Sequence, residues 1–171
     1  MRSLVQLRTT MPGDASAIAS IYAPHVLEGT ASFEVEAPDA EEVLRRRAAI
    51  LELGHPHLVA ETGGEIAGYA YASRFRPRAA YRFTVENSVY VAERFQRRGI
   101  ATMLMKRLIE LCANAGTREM IAVIGDPSVN TASVSLHRSL GFNHVGLLSG
   151  VGEKFGRALD ILIMQKSLPA Q

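Results

Sequence analysis

The stretch Gln96-Arg97-Arg98-Gly99-Ile100-Ala101 follows a β-prone run and opens a helical pattern. A helix start leaves several backbone N–H groups without partners and is the positive end of the helix dipole. Anions settle at such a place. Gly99 lets the main chain approach a phosphate closely, small Ala101 does not obstruct it, and Arg97 and Arg98 add charge. The same residues also suit a plain strand–turn–helix junction with a packing glycine and solvated arginines. The GK[ST] ending of a Walker loop and the G-x-G-x-x-G spacing of a dinucleotide fold are both absent from this stretch.

Ten residues before Gln96, Glu86 stands in an otherwise largely apolar strand. A carboxylate in apolar surroundings has a raised pKa, which suits a general base near neutrality. The alternative is a strand glutamate that faces solvent or pairs with Arg82. His137, on a helical stretch, is either a second acid–base group or a histidine packed at a helix–sheet junction. Cys112 shares a helix with Leu108 and Leu111 and reads as a core thiol. No serine sits in a G-x-S-x-G elbow. His55-Pro56-His57 lacks a spaced partner and reads as a helix-to-strand turn, with no metal site.

These groups need elements to position them. Val5–Thr9 alternates like a first strand. Asp14 caps a helix reaching about His25, and Asp39 caps another that carries Val43, Leu44, Ile50 and Leu53 and stops at Gly54. His57–Thr62 and Glu65–Ser73 form a hairpin across Gly63-Gly64. An arginine-rich loop, Arg74–Tyr81, leads to a strand over Arg82–Val91. Ile100, Leu104, Leu108, Leu111 and Ala115 mark the buried face of a helix ended by Gly116. Met120–Ile124 is a buried strand. Asn130–Leu140 is a helix stopped by Gly141, and strands at Asn143–Ser149 and Leu159–Lys166 complete the chain. The order predicts an α/β fold, a mixed sheet with covering helices.

With 171 residues, 47% hydrophobic and 21% charged, the chain fits one globular domain over residues 1–171. A formal charge of +2 does not suggest a nucleic-acid binder, and no RNP-type aromatic motif accompanies the arginines. Arg45–Arg47 reads as a solvated helix face. One cysteine allows no internal disulfide; no export signal or membrane span is legible, so a cytoplasmic location is expected.

Gln96–Ala101 matches [Q/R]-x-x-G-x-[G/A], and the chain here resembles the GCN5-related N-acetyltransferase superfamily. Further stretches are similar to its phosphinothricin and methionine sulfoximine acetyltransferases: Thr84–Val91, Ala122-Val123-Ile124, Asn130, Leu136–Phe142 and Val151–Arg157. The resemblance implies a mostly antiparallel sheet of about seven strands splayed in a V, flanked by about four helices, with acetyl-CoA in the V and no metal. It implies that the backbone of Val89, Tyr90 and Val91 binds the pantetheine arm, and that the amides of Arg97, Arg98, Gly99, Ile100, Ala101 and Thr102 hold the diphosphate. Asn130, and less directly Ser139, are implied as further cofactor contacts.

By the same resemblance Glu86 is the base and His137 an auxiliary base or substrate contact. Acetyl transfer to an amine needs such a base, because an α-amine with a pKa of about 8 is largely protonated at neutrality. In relatives the loop matching Ser73–Arg78 binds the carboxylate end of an amino-acid analogue. Arg76 or Arg78 would form that pair and Phe75 would pack on the side chain, with Val85, Glu86 and Asn87 completing the site. Several relatives carry tryptophan where this chain has Phe75 and Ala158, and the chain has no tryptophan. A wider pocket is expected, for phosphinothricin, methionine sulfoximine, methionine sulfone or another small amine. A peptide or protein N-terminal acetyltransferase and a non-catalytic acyl-CoA-binding module are the alternatives. A homodimer is implied, with the Lys154–Arg157 tail near its contact.

Overall fold

The structure, a computed structural model, describes residues 4–169. Residues 1–3, the start of the stretch read as carrying no export signal, and residues 170–171 lie outside the described residues. The elements are β1 (Gln6–Thr9), α1 (Ala15–Leu27), α2 (Ala40–Glu52), β2 (His57–Thr62), β3 (Glu65–Arg74), β4 (Thr84–Val91), α3 (Ile100–Asn114), β5 (Glu119–Gly125), α4 (Thr131–Ser139), β6 (Asn143–Lys154) and β7 (Arg157–Ser167).

One seven-stranded sheet runs in the order β1-β2-β3-β4-β5-β7-β6. Every pairing is antiparallel except β4 with β5. That parallel pair has only three rungs, Thr84–Glu119, Val85–Met120 and Glu86–Ile121. Beyond Glu86, β4 stays paired with β3 as far as Val91, and β5 stays paired with β7 as far as Gly125. The two strands therefore part, and among the described residues the far half of β4 has one edge without a partner strand: the expected V.

Alternation along β4 divides its side chains between two cores. Val85 joins Leu104, Met105 and Leu108 of α3, whereas Tyr90 packs with Ile18, Tyr22 and Val26 of α1. Asp39 caps α2 as expected, its Oδ1 accepting from the Glu42 amide at 2.8 Å. Asp14 caps differently. Its carboxylate accepts from the Met11 amide at 2.7 Å and pairs with Arg8, closing the turn before α1.

Two expectations need correction. The strand expected from Arg82 starts at Thr84, because Ala79–Tyr81 forms a short 3-10 turn and Arg82 stacks over Phe83, 4.4 Å from its centroid. The last two strands are longer than expected and meet in a tight hairpin at Phe155-Gly156, both with positive φ (53° and 73°).

Candidate active site

A cleft of about 1090 Å³ opens where β4 and β5 part. Its walls are β4 from Glu86 to Val91, the turn and first residues of α3, the end of β5, the start of α4 and the α1–α2 loop. Gly99 takes the N-cap position of α3 with φ 78°, and Arg97 also has positive φ (60°). This kinked backbone carries the chain from strand to helix without a side-chain cap on the first amides of α3. Those amides have no acceptor four residues back. Arg97, Gly99, Ile100, Ala101 and Thr102 all line the cleft. Arg98 does not; its guanidinium lies 5.3 Å from the centroid of the Phe95 ring. Val89, Tyr90 and Val91 line the cleft on the free edge of β4. The site thus offers a strand edge that leads to a helix N-terminus, a fit for a long thin ligand ending in phosphates.

Glu86 sits at the apex, on the last β4–β5 rung. Burial pushes its carboxyl up, against the opposing pull of the Arg76 charge. A second carboxylate, Glu34, faces the same cleft and behaves oppositely. Arg46 grips it with two hydrogen bonds of 2.7 and 3.0 Å, which outweigh burial and hold it below the usual range. Tyr22 donates to Glu34 at 2.9 Å, so Ser32 must donate its hydroxyl proton to Tyr22, 2.6 Å away. Two carboxylates whose environments drive them apart can divide acid–base work. Here burial favours the neutral form of Glu86, whereas Arg46 holds Glu34 as an ion.

His137 lines the cleft but both ring nitrogens are occupied: Nε2 lies 2.9 Å from Asn87 Oδ1 and Nδ1 2.8 Å from Ser133 O. Burial pushes its pKa down, partly offset by the Ser133 carbonyl. Asn130 also faces the cleft, with its amide nitrogen donating to Gly125 O at 2.7 Å.

Other predicted residues fall outside. Ser139 is exposed and donates to Leu136 O of its own helix, because two residues of helix turn it away from the His137 face. Val85 is 1% exposed in the α3 core, since neighbours on a strand face opposite ways. Phe75, Arg76 and Arg78 lie on the surface loop after β3 and do not line the cleft; Phe75 meets Tyr81 edge-on at 5.8 Å. Arg45–Arg47 is not one solvated face, because successive helical residues point about 100° apart. Arg46 turns to Glu34, and Arg47 donates to Thr10.

Sequence reasoning missed the α1–α2 loop. Ser32, Phe33 and Glu34 line the cleft, together with Tyr22 and Tyr71. The Phe33 ring lies against Gly125 and Gly152, whose missing side chains make room for it. No local spacing announces this, because the loop owes its position to contacts more than ninety residues away.

The family model for the acetyltransferase (GNAT) family matches residues 24–142. The chain is 47% identical to a phosphinothricin N-acetyltransferase of Alcaligenes faecalis, over 99% of this chain and 85% of that protein. It is 38% identical to an L-methionine sulfoximine/L-methionine sulfone acetyltransferase of Salmonella typhimurium, over 95% and 94%. In structure it is similar to a GNAT superfamily phosphinothricin acetyltransferase from Sinorhizobium meliloti in complex with AcCoA, with TM-score 0.92 and 41% identity over 96% of this chain and 88% of that one.

Proposed function

Because the chain belongs to the acetyltransferase (GNAT) family, we propose that it moves an acetyl group from acetyl-CoA to the amine of a small amino-acid-like substrate. The class is that of phosphinothricin, methionine sulfoximine or methionine sulfone, the substrates that its relatives' names carry. The observation that carries this reading is that one cleft is lined by a helix N-terminus, a strand edge and a buried carboxylate, Glu86, raised by burial.

The first amides of α3, with Arg97 beside them, would hold the diphosphate, and the open edge of Val89–Val91 the pantetheine arm. Acetyl-CoA supplies an acyl group activated as a thioester. Glu86 would take a proton from the substrate ammonium, leaving a neutral amine to attack the acyl carbon directly in a ternary complex; the C–S bond then breaks as the N–C bond is completed, and the second proton shed by the nitrogen goes to the departing thiolate, which leaves as the thiol of CoA. Cys112 is an unsuitable covalent relay: it is fully buried and burial pushes its thiol up to about 12. Arg76, whose charge reaches Glu86, would meet the substrate carboxylate from the loop after β3, outside the cleft lining, with Arg78 and Phe75 on the same loop.

We further propose a cytoplasmic homodimer of this one domain. The edge strand β6 exposes Val145, Leu147, Leu148 and Val151, an apolar row that a second copy would cover.

The test is thiol release from acetyl-CoA over a panel of amino acids, sulfoximines, phosphinothricin and peptide N-termini. Acetylation of the small amines is expected, with intersecting initial-velocity lines. Glu86→Gln should cut turnover about 10²–10⁴-fold and leave acetyl-CoA affinity within a few-fold. Acetylation of peptides alone, parallel lines, or a fully active Glu86→Gln would overturn the corresponding part.

A further inference from the structure

The last rung between β4 and β5 joins Glu86 to Ile121. The next residue on β4, Asn87, is 6% exposed, and its side-chain Nδ2 donates to the carbonyl oxygen of Ile121 at 3.0 Å. The side chain of the first residue past the fork therefore ties back to the strand that is leaving. His137 Nε2 meets Asn87 Oδ1 at 2.9 Å, and His137 Nδ1 meets Ser133 O at 2.8 Å. Phe142 closes the ring edge-on, 4.9 Å between centroids.

The proton order along this chain follows from its ends. A carbonyl only accepts, so the amide nitrogen of Asn87 faces Ile121 and its oxygen faces His137. An amide oxygen also only accepts, so the tautomer that completes the chain carries its proton on Nε2. In the neutral ring Nδ1 then keeps its lone pair, which faces Ser133, with the hydroxyl 3.5 Å and the carbonyl 2.8 Å away. Both nitrogens are engaged within the protein, so neither is turned to a substrate ammonium in the cleft.

We propose that His137 is a positioning residue and not a base: with Asn87 it forms a strut from α4 to the fork of β4 and β5, and this strut sets the width of the cleft. What the width serves rests on the acetyltransferase reading; the strut itself does not. Loss of the strut lets the strands relax at the fork and weakens the grip on the arm that lies between them. A substitute that still donates at the Nε2 position restores it. Gln does so, because its amide nitrogen falls where Nε2 lies, and Gln is no base.

The experiment compares His137→Gln, His137→Leu and Asn87→Ala for kcat, for KM of both substrates and for pH dependence, alongside 15N spectra of the wild-type imidazole. His137→Gln should keep kcat/KM within about five-fold of wild type with an unshifted pH profile. His137→Leu and Asn87→Ala should each lose more than about thirty-fold, mostly as a higher KM for acetyl-CoA. The wild-type spectrum should show Nε2 protonated from pH 6 to 9. Equal large losses in kcat for the Gln and Leu variants with an altered pH profile, a fully active Asn87→Ala, or an Nε2 without a proton would each overturn the proposal. Asn87→Ala keeps the question open to refutation if the Leu variant does not fold. A wild type that acetylates nothing would sink the functional reading alone, and the spectrum would still decide the strut.

Discussion

Lys154 Nζ lies 2.7 Å from the carbonyl oxygen of Ser32 and 2.8 Å from that of Gly29, so an ammonium at the end of β6 holds the loop between α1 and α2 by its backbone. The residue is 4% exposed, and burial pushes its pKa down while the Glu34 charge pulls it back up. Ser32 and Glu34 line the cleft. The last hairpin of the chain therefore shapes a wall formed near its beginning.

Lys154→Met should release that wall. Removing a charged donor from buried carbonyls costs about 1–3 kcal/mol, to be read from denaturant unfolding. The KM for the amine should rise more than the KM for acetyl-CoA, because the charges of Glu34 and Glu86 both act on Tyr71, which ties this wall to the proposed base. Equal changes in both constants would show a global effect.

Gly125→Ala should damage the same wall from the other side. A Cβ there would lie 2.6 Å from Phe33 Cε1 and 2.8 Å from Thr30 O, closer than such atoms approach. The ring has to move or the strand end has to shift, at a cost of about 1–3 kcal/mol. Thermal unfolding checks the cost, and pairing with Phe33→Ala should recover part of it.

Glu86 has a pH signature. Its carboxyl is raised by burial, so the base form appears at higher pH than for an ordinary glutamate. The acid limb of kcat/KM should fall as pH drops through that raised value, and Glu86→Gln should abolish the limb. Because ionising Glu86 opposes folding, stability should fall as pH rises through the same value, and the Gln variant should lose this dependence. Melting temperatures across pH 4–8 test it.

His57 makes an opposite contribution. His57 is 3% exposed, its ring is stacked on Tyr71 at 5.2 Å, Nδ1 has no hydrogen-bond partner among the described residues, and burial, aided by the Arg47 charge, pushes its pKa to about 4. Unfolded, it titrates near 6.5. Between those values unfolding takes up a proton, so stability is full above 6.5 and falls as pH drops toward 4, by about 3 kcal/mol. His57→Phe should flatten that acid decline.

The proposed homodimer predicts that the wild type sediments as a dimer and Leu147→Glu as a monomer. Leu147 is 48% exposed on an edge strand, where a charge blocks pairing without touching the core. An unchanged mass would remove β6 as the interface.

Much of this protein is local and therefore readable from its residues. The α3 face, the Gly63-Gly64 hairpin and the Asp39 cap follow from periodicity and from backbone preferences within a few residues. Gln96–Ala101 is legible for the same reason, since a glycine at a helix start and the amides behind it form one continuous piece of chain. Glu86 is legible by its apolar strand neighbours.

The tertiary structure decided what depends on distant partners. Whether Val85 or Glu86 faces the cleft depends on which side of the sheet α3 covers. Phe33 is placed by two glycines on other strands, and Glu34 is an ion because Arg46 of α2 reaches it. The fork at Glu86–Ile121 lies where β4 goes on pairing with β3 and β5 goes on pairing with β7. Such relations are set by packing between segments far apart in the chain, and no window of sequence contains both ends of them.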